Sequence, residues 1–134
     1  MKSIEVVAAI ILKANKILCV QRGENKYDYI SKKYEFPGGK IEPGESKVAA
    51  LKREILEELK IEINISEEFI TVTHIYPDFK ITMYSFLCTC ESIALELSEH
   101  IDFKWLNKSE LKKLDWAAAD IPIVESLLII NKLT

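Results

Sequence analysis

The chain has 134 residues, of which 49% are hydrophobic and 29% charged. This length and composition predict one globular domain over residues 1–134, with enough apolar residues for a core and no room for a second domain. The net charge of −3 argues against a nucleic-acid polymer as the main partner, because phosphate backbones are bound through basic surfaces.

Membrane insertion and disulfide bonding are also disfavoured by the sequence. No run of about 18 apolar residues is present, so no membrane span is predicted, and the β-branched N-terminus suits a strand better than a signal peptide. Cys19, Cys88 and Cys90 lie in apolar, strand-like segments, and their odd number predicts reduced, buried thiols in the cytoplasm. A metal pair at Cys88 and Cys90 is the alternative, but nothing nearby completes a zinc site.

The first third of the chain predicts a β-hairpin followed by a long loop. Residues 4–12 and 17–21 are apolar and β-branched and flank a polar turn. Residues 22–34 are polar and aromatic without periodicity, which predicts a surface loop of about a dozen residues. The stretch EFPGGKIEPGES that follows is rich in glycine and proline, so no helix passes through it.

A helix is predicted from residue 46, with Ser46 as its N-cap. Val48, Leu51, Ile55 and Leu59 have the three-and-four spacing of a helix that buries one face. This helix is the central one of the chain.

Strands and short helices are predicted for the second half. Residues 61–75, 80–90 and 101–106 are strand-like, and residues 108–114 predict a short helix begun near Ser109. Residues 123–133 form an apolar helix whose start is set by Asp120 or Pro122. The order of elements favours an α/β domain in which a mixed β-sheet is sandwiched between α-helices.

The segment REILEELK places three glutamates on one face of the central helix. Glu54, Glu57 and Glu58 stand at i, i+3 and i+4, and such like-charge pairs cost about 0.2–0.5 kcal/mol each. A hard divalent cation such as Mg²⁺ would turn this repulsion into attraction. The alternative is an ordinary solvated acidic surface, but Gly38 and Gly39 in the preceding loop bring bare backbone close to a metal or phosphate.

The spacing of these residues resembles the Nudix box of the Nudix hydrolases. Gly39, Glu45 and the run from Arg53 to Glu58 match that motif, and IEVVAAII and AADIP resemble the MutT-like branch, bacterial CTP pyrophosphohydrolases above all. The resemblance implies the Nudix fold. One departure is Lys60, which stands where the family has a glycine that ends the helix in a left-handed conformation; this position lies outside the metal-facing arc of the helix.

The resemblance also implies roles at the metal. Oxygen ligands for Mg²⁺, or for Mn²⁺, come from the helix, a later loop and the glycine pair: Gly38, Gly39, Glu54, Glu57, Glu58 and Glu99. The catalytic set is Glu57, as first choice of general base, with Arg53 and Glu99. Arg53 orients a glutamate and Glu45 ties the loop to the helix. His100 is a second possible proton acceptor, although a lone histidine is more often structural.

The remaining roles concern the substrate. Arg22 and Lys40 match phosphate contacts of MutT-like proteins, and Asp120 stands where that branch reads the base, with capping of the last helix as its alternative role. A carboxylate there favours bases with an exocyclic amine. Tyr27, Tyr29 and Tyr34 stack on a base, pack in the core or form a lid.

The function expected from this resemblance is hydrolysis of a nucleoside triphosphate to the monophosphate and pyrophosphate. CTP, dCTP or an oxidised nucleotide is the expected substrate, and 8-oxo-dGTP hydrolysis is the nearest alternative. A non-catalytic nucleotide-binding module and a metal-free acidic interaction surface are alternatives of other classes. The expected partner is a small-molecule nucleotide, and the protein is expected to be a monomer or a homodimer without membrane association.

Overall fold

A computed structural model describes residues 1–130. Its strands and helices, in chain order, are β1 (Lys2–Lys13), β2 (Lys16–Gln21), β3 (Tyr34–Glu35), β4 (Gly38–Lys40), α1 (Lys47–Leu59), β5 (Asn64–Ile75), β6 (Phe79–Thr89), β7 (Asp102–Leu106) and α2 (Ile121–Ile129). Two 3₁₀ segments, Lys108–Lys113 and Ala118–Asp120, precede α2.

The sheet is mixed and is organised around β1. Its main path runs β3-β2-β1-β6-β5, with β4 paired to β1 and β7 paired to β2. β1 runs parallel to β6 along its whole length, whereas its other edge is shared between β2 at one end and β4 near the middle. This division places the glycine pair of β4 at the centre of the domain, opposite Val7 and Ala8.

Alternation along β1 builds two cores, one on each face of the sheet. Ala8 and Ile10 pack on the α2 side, whereas Val7, Ala9 and Ile11 pack on the α1 side. Because strand side chains alternate between faces, an almost uninterrupted apolar strand is what a sheet covered on both sides requires. The predicted mixed sheet between helices is confirmed.

A hydrogen bond at each end fixes where helix α1 begins and ends. The Ser46 hydroxyl accepts a hydrogen bond from the Ala49 amide, as predicted for the N-cap. Lys60 itself adopts the left-handed conformation, with φ of 59°, and its amide donates to the Leu56 carbonyl. The helix therefore ends where a glycine would end it. Within the predicted buried face, Val48 is 42% exposed and Ala50 is buried instead.

The C-terminal elements differ from the prediction in detail. Residues 108–113 form a 3₁₀ segment that starts before Ser109, because the Glu110 carboxylate accepts from the Asn107 amide at 3.0 Å. Helix α2 starts at Ile121, directly after Asp120, and residues 131–133 of the predicted helix lie outside the described residues. Within residues 1–130, no helix is long and apolar enough to cross a membrane. The three cysteines are free and buried, as predicted.

Candidate active site

Both glycines of β4 are in contact with atoms that a side chain would displace. A Cβ on Gly38 would lie 1.9 Å from the Val7 carbonyl oxygen, and a Cβ on Gly39 would lie 2.3 Å from Oε2 of Glu54. Real Cβ atoms do not approach so closely, so Gly38 lets the strand reach β1 and Gly39 lets the backbone reach the carboxylate of α1. The glycine pair therefore carries bare backbone to the acidic helix.

Arg53 binds carboxylates on the acidic face of α1, at the part that carries Glu54 and Glu57. We call this part the outer end of the face, and the part that carries Glu58 its inner end. Its guanidinium donates two hydrogen bonds to Glu45, at 2.6 and 2.9 Å, and one to Glu54 at 2.9 Å. It also contacts Glu57 at 3.4 Å and donates to the Lys40 carbonyl at 3.1 Å. The hydrogen bonds from Arg53 lower the pKa of Glu45 to about 2. Arg53 and Glu45 thus connect the loop to the helix, and Glu57 stays 61% exposed.

Glu58 lies at the inner end of the same face, in a different environment. Its side chain is only 17% exposed, and within residues 1–130 its buried Oε2 has no hydrogen-bond partner. Burial raises the pKa of Glu58 to about 8, with Glu35, Glu54 and Glu99 adding to the shift. The ionised form of Glu58 is therefore unfavourable, and a bound cation would stabilise it.

A small polar cavity opens beside Glu58. Its volume is about 210 Å³, and its lining includes Glu35, Glu58, Glu99 and His100. Glu99 is exposed, whereas the His100 side chain is 6% exposed. The predicted later glutamate thus lies next to the acidic helix.

A larger cavity of about 340 Å³ adjoins the glycine pair. Its lining includes Arg22, Glu35, Gly39, Lys40 and Asp120. Arg22 donates to Glu35 at 3.0 Å, and the same carboxylate raises the pKa of the guanidinium. The two predicted phosphate-binding cations and the predicted base reader therefore share one cavity.

Asp120 is almost completely buried in the wall of this cavity. Its Oδ1 accepts a hydrogen bond from the Phe36 amide at 3.0 Å, and its side chain makes no capping bond to α2. The predicted capping role is therefore wrong. Burial, with a contribution from Glu35, raises the pKa of Asp120 well above its usual value.

The three tyrosines of the early loop have different surroundings. Tyr27 lines the larger cavity and stacks on Tyr29, with ring centroids 5.2 Å apart. Tyr29 donates to Asp78 at 2.6 Å. Tyr34 is buried and donates to Asp102 at 2.8 Å, so it belongs to the packing of the domain.

Comparison with known proteins identifies the family. The family description "NUDIX domain" matches residues 6–126. The chain belongs to this family. It is a Nudix hydrolase, and Nudix hydrolases generally use divalent metal ions and act on small nucleotide substrates.

Curated relatives and a solved structure agree with this assignment. A protein named CTP pyrophosphohydrolase from Escherichia coli K12 is 35% identical over 98% of this chain and 96% of its own length. An 8-oxo-dGTP diphosphatase from Buchnera aphidicola (subsp. Schizaphis graminum) is 32% identical over 95% of each chain. The crystal structure of a MutT protein from Methanosarcina mazei Go1 has a TM-score of 0.84 and 25% identity, covering 94% of this chain and 93% of that one.

The residues of this Nudix hydrolase fit a hard divalent cation. Within residues 1–130, no three His, Cys, Asp or Glu side chains are already grouped as metal ligands. Glu54 accepts a hydrogen bond from Arg53, and the Glu57 side chain extends into solvent. The fit comes from the buried Oε2 of Glu58, which lacks a partner, and from the oxygen donors around it. Gly39 packs against Glu54 and brings backbone to the same place.

Glu35, which the sequence analysis did not name, and His100, which it named only as a second proton acceptor, both line the cavity beside Glu58. Glu35 was part of the turn-rich stretch, yet β3 pairs with β2 and brings it beside Arg22. His100 is 3.0 Å from the carboxylate of Glu35. The sequence carries no local signal for either contact, because Glu35 and His100 lie 65 residues apart.

Proposed function

We propose that this Nudix hydrolase converts a nucleoside or deoxynucleoside triphosphate to the monophosphate and pyrophosphate. The observation that carries the proposal is that its two cavities adjoin each other. Arg22, Asn25 and Glu35 line both of them, so the space beside Asp120 lies next to the space beside Glu58. In the proposed binding mode the base of the nucleotide lies beside Asp120 and its phosphates lie at the acidic helix.

In this proposal the acidic face and the glycine pair hold Mg²⁺ or Mn²⁺. The ligands are oxygen atoms of the set named from the sequence: Gly38, Gly39, Glu54, Glu57, Glu58 and Glu99. When bound, the ion neutralises phosphate charge and makes water more acidic. Support comes from the unpaired Oε2 of Glu58, because a buried carboxylate without a donor is costly unless a cation accompanies it.

The protein side chains do the rest of the work in this proposal. Arg22 and Lys40 bind phosphate oxygens at the mouth of the larger cavity, which both of them line. Glu57 accepts the proton of the attacking water, and its exposure leaves it free to reach that water. Glu99 is the alternative base, since it also faces the cavity beside Glu58. Arg53 holds Glu45 and Glu54 in place.

Asp120 supplies the base contact and supports a cytosine or oxidised base. An ionised carboxyl accepts from an exocyclic amine, whereas a protonated one also donates to a ring nitrogen or carbonyl. The raised pKa of buried Asp120 makes the donating form available. CTP, dCTP or an oxidised nucleotide is the proposed substrate, in line with the names of the two relatives. The 8-oxo-dGTP diphosphatase name favours that purine as the second candidate.

The other parts of the proposal concern the whole chain. We propose that residues 1–134 are a single Nudix domain, and the support is that β1 contributes to both cores of the described residues. Reduced, buried cysteines support a cytoplasmic enzyme. We propose a monomer or a homodimer, which size-exclusion chromatography with light scattering distinguishes.

The test is a substrate screen with Mg²⁺. Pyrophosphate release is measured with CTP, dCTP, 8-oxo-dGTP, 5-hydroxy-CTP and the four common dNTPs, and the products of ADP-ribose and a diadenosine polyphosphate are analysed separately. We expect the highest kcat/KM for a cytosine or oxidised triphosphate, with loss of activity in EDTA. Preference for ADP-ribose or the dinucleotide would overturn the proposed substrate class.

A further inference from the structure

Three of the described residues lie at the boundary between the two cavities. Arg22, Asn25 and Glu35 line both the larger and the smaller cavity. The sugar of a nucleotide joins its base to its phosphates. In the proposed binding mode the base lies beside Asp120 and the phosphates lie at the acidic helix, so the sugar lies at this boundary.

Two of the three boundary side chains are bound to each other. Nε of Arg22 donates to Oε1 of Glu35 at 3.0 Å, and Oε2 of Glu35 lies 3.0 Å from Nε2 of His100. Both oxygens of Glu35 therefore have protein partners, and Arg22 is already assigned to phosphate in the proposed function. Asn25 is the boundary residue whose polar side chain has no role yet.

The side-chain amide of Asn25 has one orientation, because its oxygen is bound to the loop. Oδ1 accepts a hydrogen bond from the main-chain amide of Tyr27 at 2.9 Å, and the main-chain amide of Asn25 donates to the Ser31 hydroxyl at 3.0 Å. An asparagine that binds the amide two residues ahead forms an Asx turn. Because only the oxygen accepts from an N–H group, Nδ2 with its two donors is the end that remains for a ligand.

We propose that Asn25 forms a sugar subsite, in which Nδ2 donates a hydrogen bond to a furanose hydroxyl of the nucleotide. The residue is partly exposed, so a ligand in the cavities can reach it. A hydroxyl accepts this bond, whereas a C–H group at the same position does not, so Asn25 determines which sugars are preferred. This inference rests on the proposed function and deepens it, because that function leaves the choice between ribose and deoxyribose open.

The experiment compares four cytidine triphosphates that differ in their sugar hydroxyls. CTP has hydroxyls at the 2′ and 3′ carbons, dCTP has the 3′-hydroxyl, 3′-deoxy-CTP has the 2′-hydroxyl, and dideoxy-CTP has neither. The guanosine series replaces them if the substrate screen selects a guanine base. We expect kcat/KM of the native protein to be about three- to tenfold higher for CTP than for dideoxy-CTP, which corresponds to one hydrogen bond. The singly hydroxylated substrate that keeps the higher value identifies the hydroxyl.

Asn25→Ser separates the sugar contact from the fold of the loop. A serine hydroxyl can accept from the Tyr27 amide as the asparagine oxygen does, but the side chain carries no second polar group to reach the sugar. We expect Asn25→Ser to have equal kcat/KM for CTP and dideoxy-CTP, with the value for dideoxy-CTP unchanged from the native protein. Thermal unfolding shows whether the variant is folded, and Asn25→Thr, which also keeps a hydroxyl for the turn, replaces it if it is not.

The matched control changes a neighbouring residue of the same loop. Asp28 is exposed and belongs to the lining of neither cavity. Asp28→Ser should therefore keep the native ratio of kcat/KM between CTP and dideoxy-CTP.

Three results would overturn the inference. Equal kcat/KM for all four substrates in the native protein would show that no sugar hydroxyl is recognised. A native ratio between CTP and dideoxy-CTP in Asn25→Ser would assign the recognition to another residue. A uniform loss over the four substrates in Asn25→Ser would assign Asn25 to the phosphates or to the loop.

Binding of monophosphates separates this inference from the proposed function. CMP and dideoxy-CMP are titrated by isothermal calorimetry, which requires no hydrolysis. A protein that hydrolyses no triphosphate, but whose preference for CMP disappears in Asn25→Ser, would keep the inference and reject the proposed function. Hydrolysis of CTP with a sugar preference that does not depend on Asn25 would do the reverse. If the triphosphates are not hydrolysed and the monophosphates do not bind, both are rejected.

Discussion

The negative charges at the two ends of the acidic face are compensated to different extents. At the outer end, Arg53 donates to Glu45 and Glu54 and contacts Glu57, so the negative charge is compensated by the protein itself. At the inner end, Glu58 is buried beside other carboxylates with one oxygen unpaired. The difference shows that a row of glutamates with regular spacing is not one environment, and that within the described residues the inner end is the one with an unpaired carboxylate oxygen.

The largest expected effect is on catalysis at the outer end. Glu57→Gln should lower kcat about a hundredfold or more, because it removes the proposed base or a metal ligand while leaving the shape unchanged. Steady-state kinetics with the best substrate and Mg²⁺ measures it. Glu62→Gln, an exposed glutamate just beyond α1, is the matched control and should retain native kcat. A near-native kcat in Glu57→Gln would remove Glu57 from the mechanism.

Without metal, the pH dependence of protein stability should distinguish the two ends of the acidic face. The folded-state pKa of Glu58, about 8, lies above the ordinary value of 4.5, so ionisation of Glu58 opposes folding. Its contribution to stability is complete below about pH 4.5 and is lost as pH rises to about 8, with a slope of at most about 1.4 kcal/mol per pH unit. In EDTA, Glu58→Gln should therefore gain stability relative to the native protein as pH rises.

Urea unfolding at several pH values measures this difference. Glu57, which is exposed, gives the matched control. The plot of unfolding free energy against pH for Glu57→Gln should run parallel to that of the native protein. If the plot for Glu58→Gln also runs parallel to that of the native protein, the negative charge at the inner end is as well compensated as that at the outer end. Added Mg²⁺ should stabilise the native protein more than Glu58→Gln at pH 8.

A smaller effect is expected on the choice of base. Asp120→Asn keeps an oxygen for the Phe36 amide but replaces a titrating carboxyl by a permanent donor. The ratio of kcat/KM between CTP and 8-oxo-dGTP should change about tenfold, which corresponds to one altered hydrogen bond. Asp115→Asn, at an exposed position, should leave the ratio unchanged. An unchanged ratio in Asp120→Asn would assign Asp120 to structure alone.

The smallest effect concerns the end of α1. Lys60→Gly should stabilise the protein by about 1 kcal/mol, because glycine adopts the left-handed conformation without the cost that a Cβ carries. Lys52→Gly, at an exposed position inside the helix, should instead destabilise it by about 1 kcal/mol. Chemical denaturation measures both. A destabilised Lys60→Gly would show that the hydrogen bond from its ammonium to the Glu57 carbonyl outweighs the backbone cost.

Local patterns explain which features the sequence made predictable. The start of α1 at Ser46, its buried face around Leu51, Ile55 and Leu59, and the β-hairpin follow from signals within a few residues. The contacts that organise the two cavities join distant positions: Asp120 binds the Phe36 amide 84 residues away, and His100 contacts Glu35 65 residues away. No periodicity or motif encodes such pairs, so the environment of each site residue required the tertiary structure.

The place of Glu35 between the two cavities constrains how this enzyme can evolve. Tyr27 lines the larger cavity but not the smaller one, so in the proposed binding mode a mutation there would alter the fit of the base without changing a residue of the smaller cavity. A mutation at Glu35 is pleiotropic, because it disturbs Arg22 and His100 together. Mutations at Tyr27 can therefore change the substrate preference with fewer side effects than mutations at Glu35.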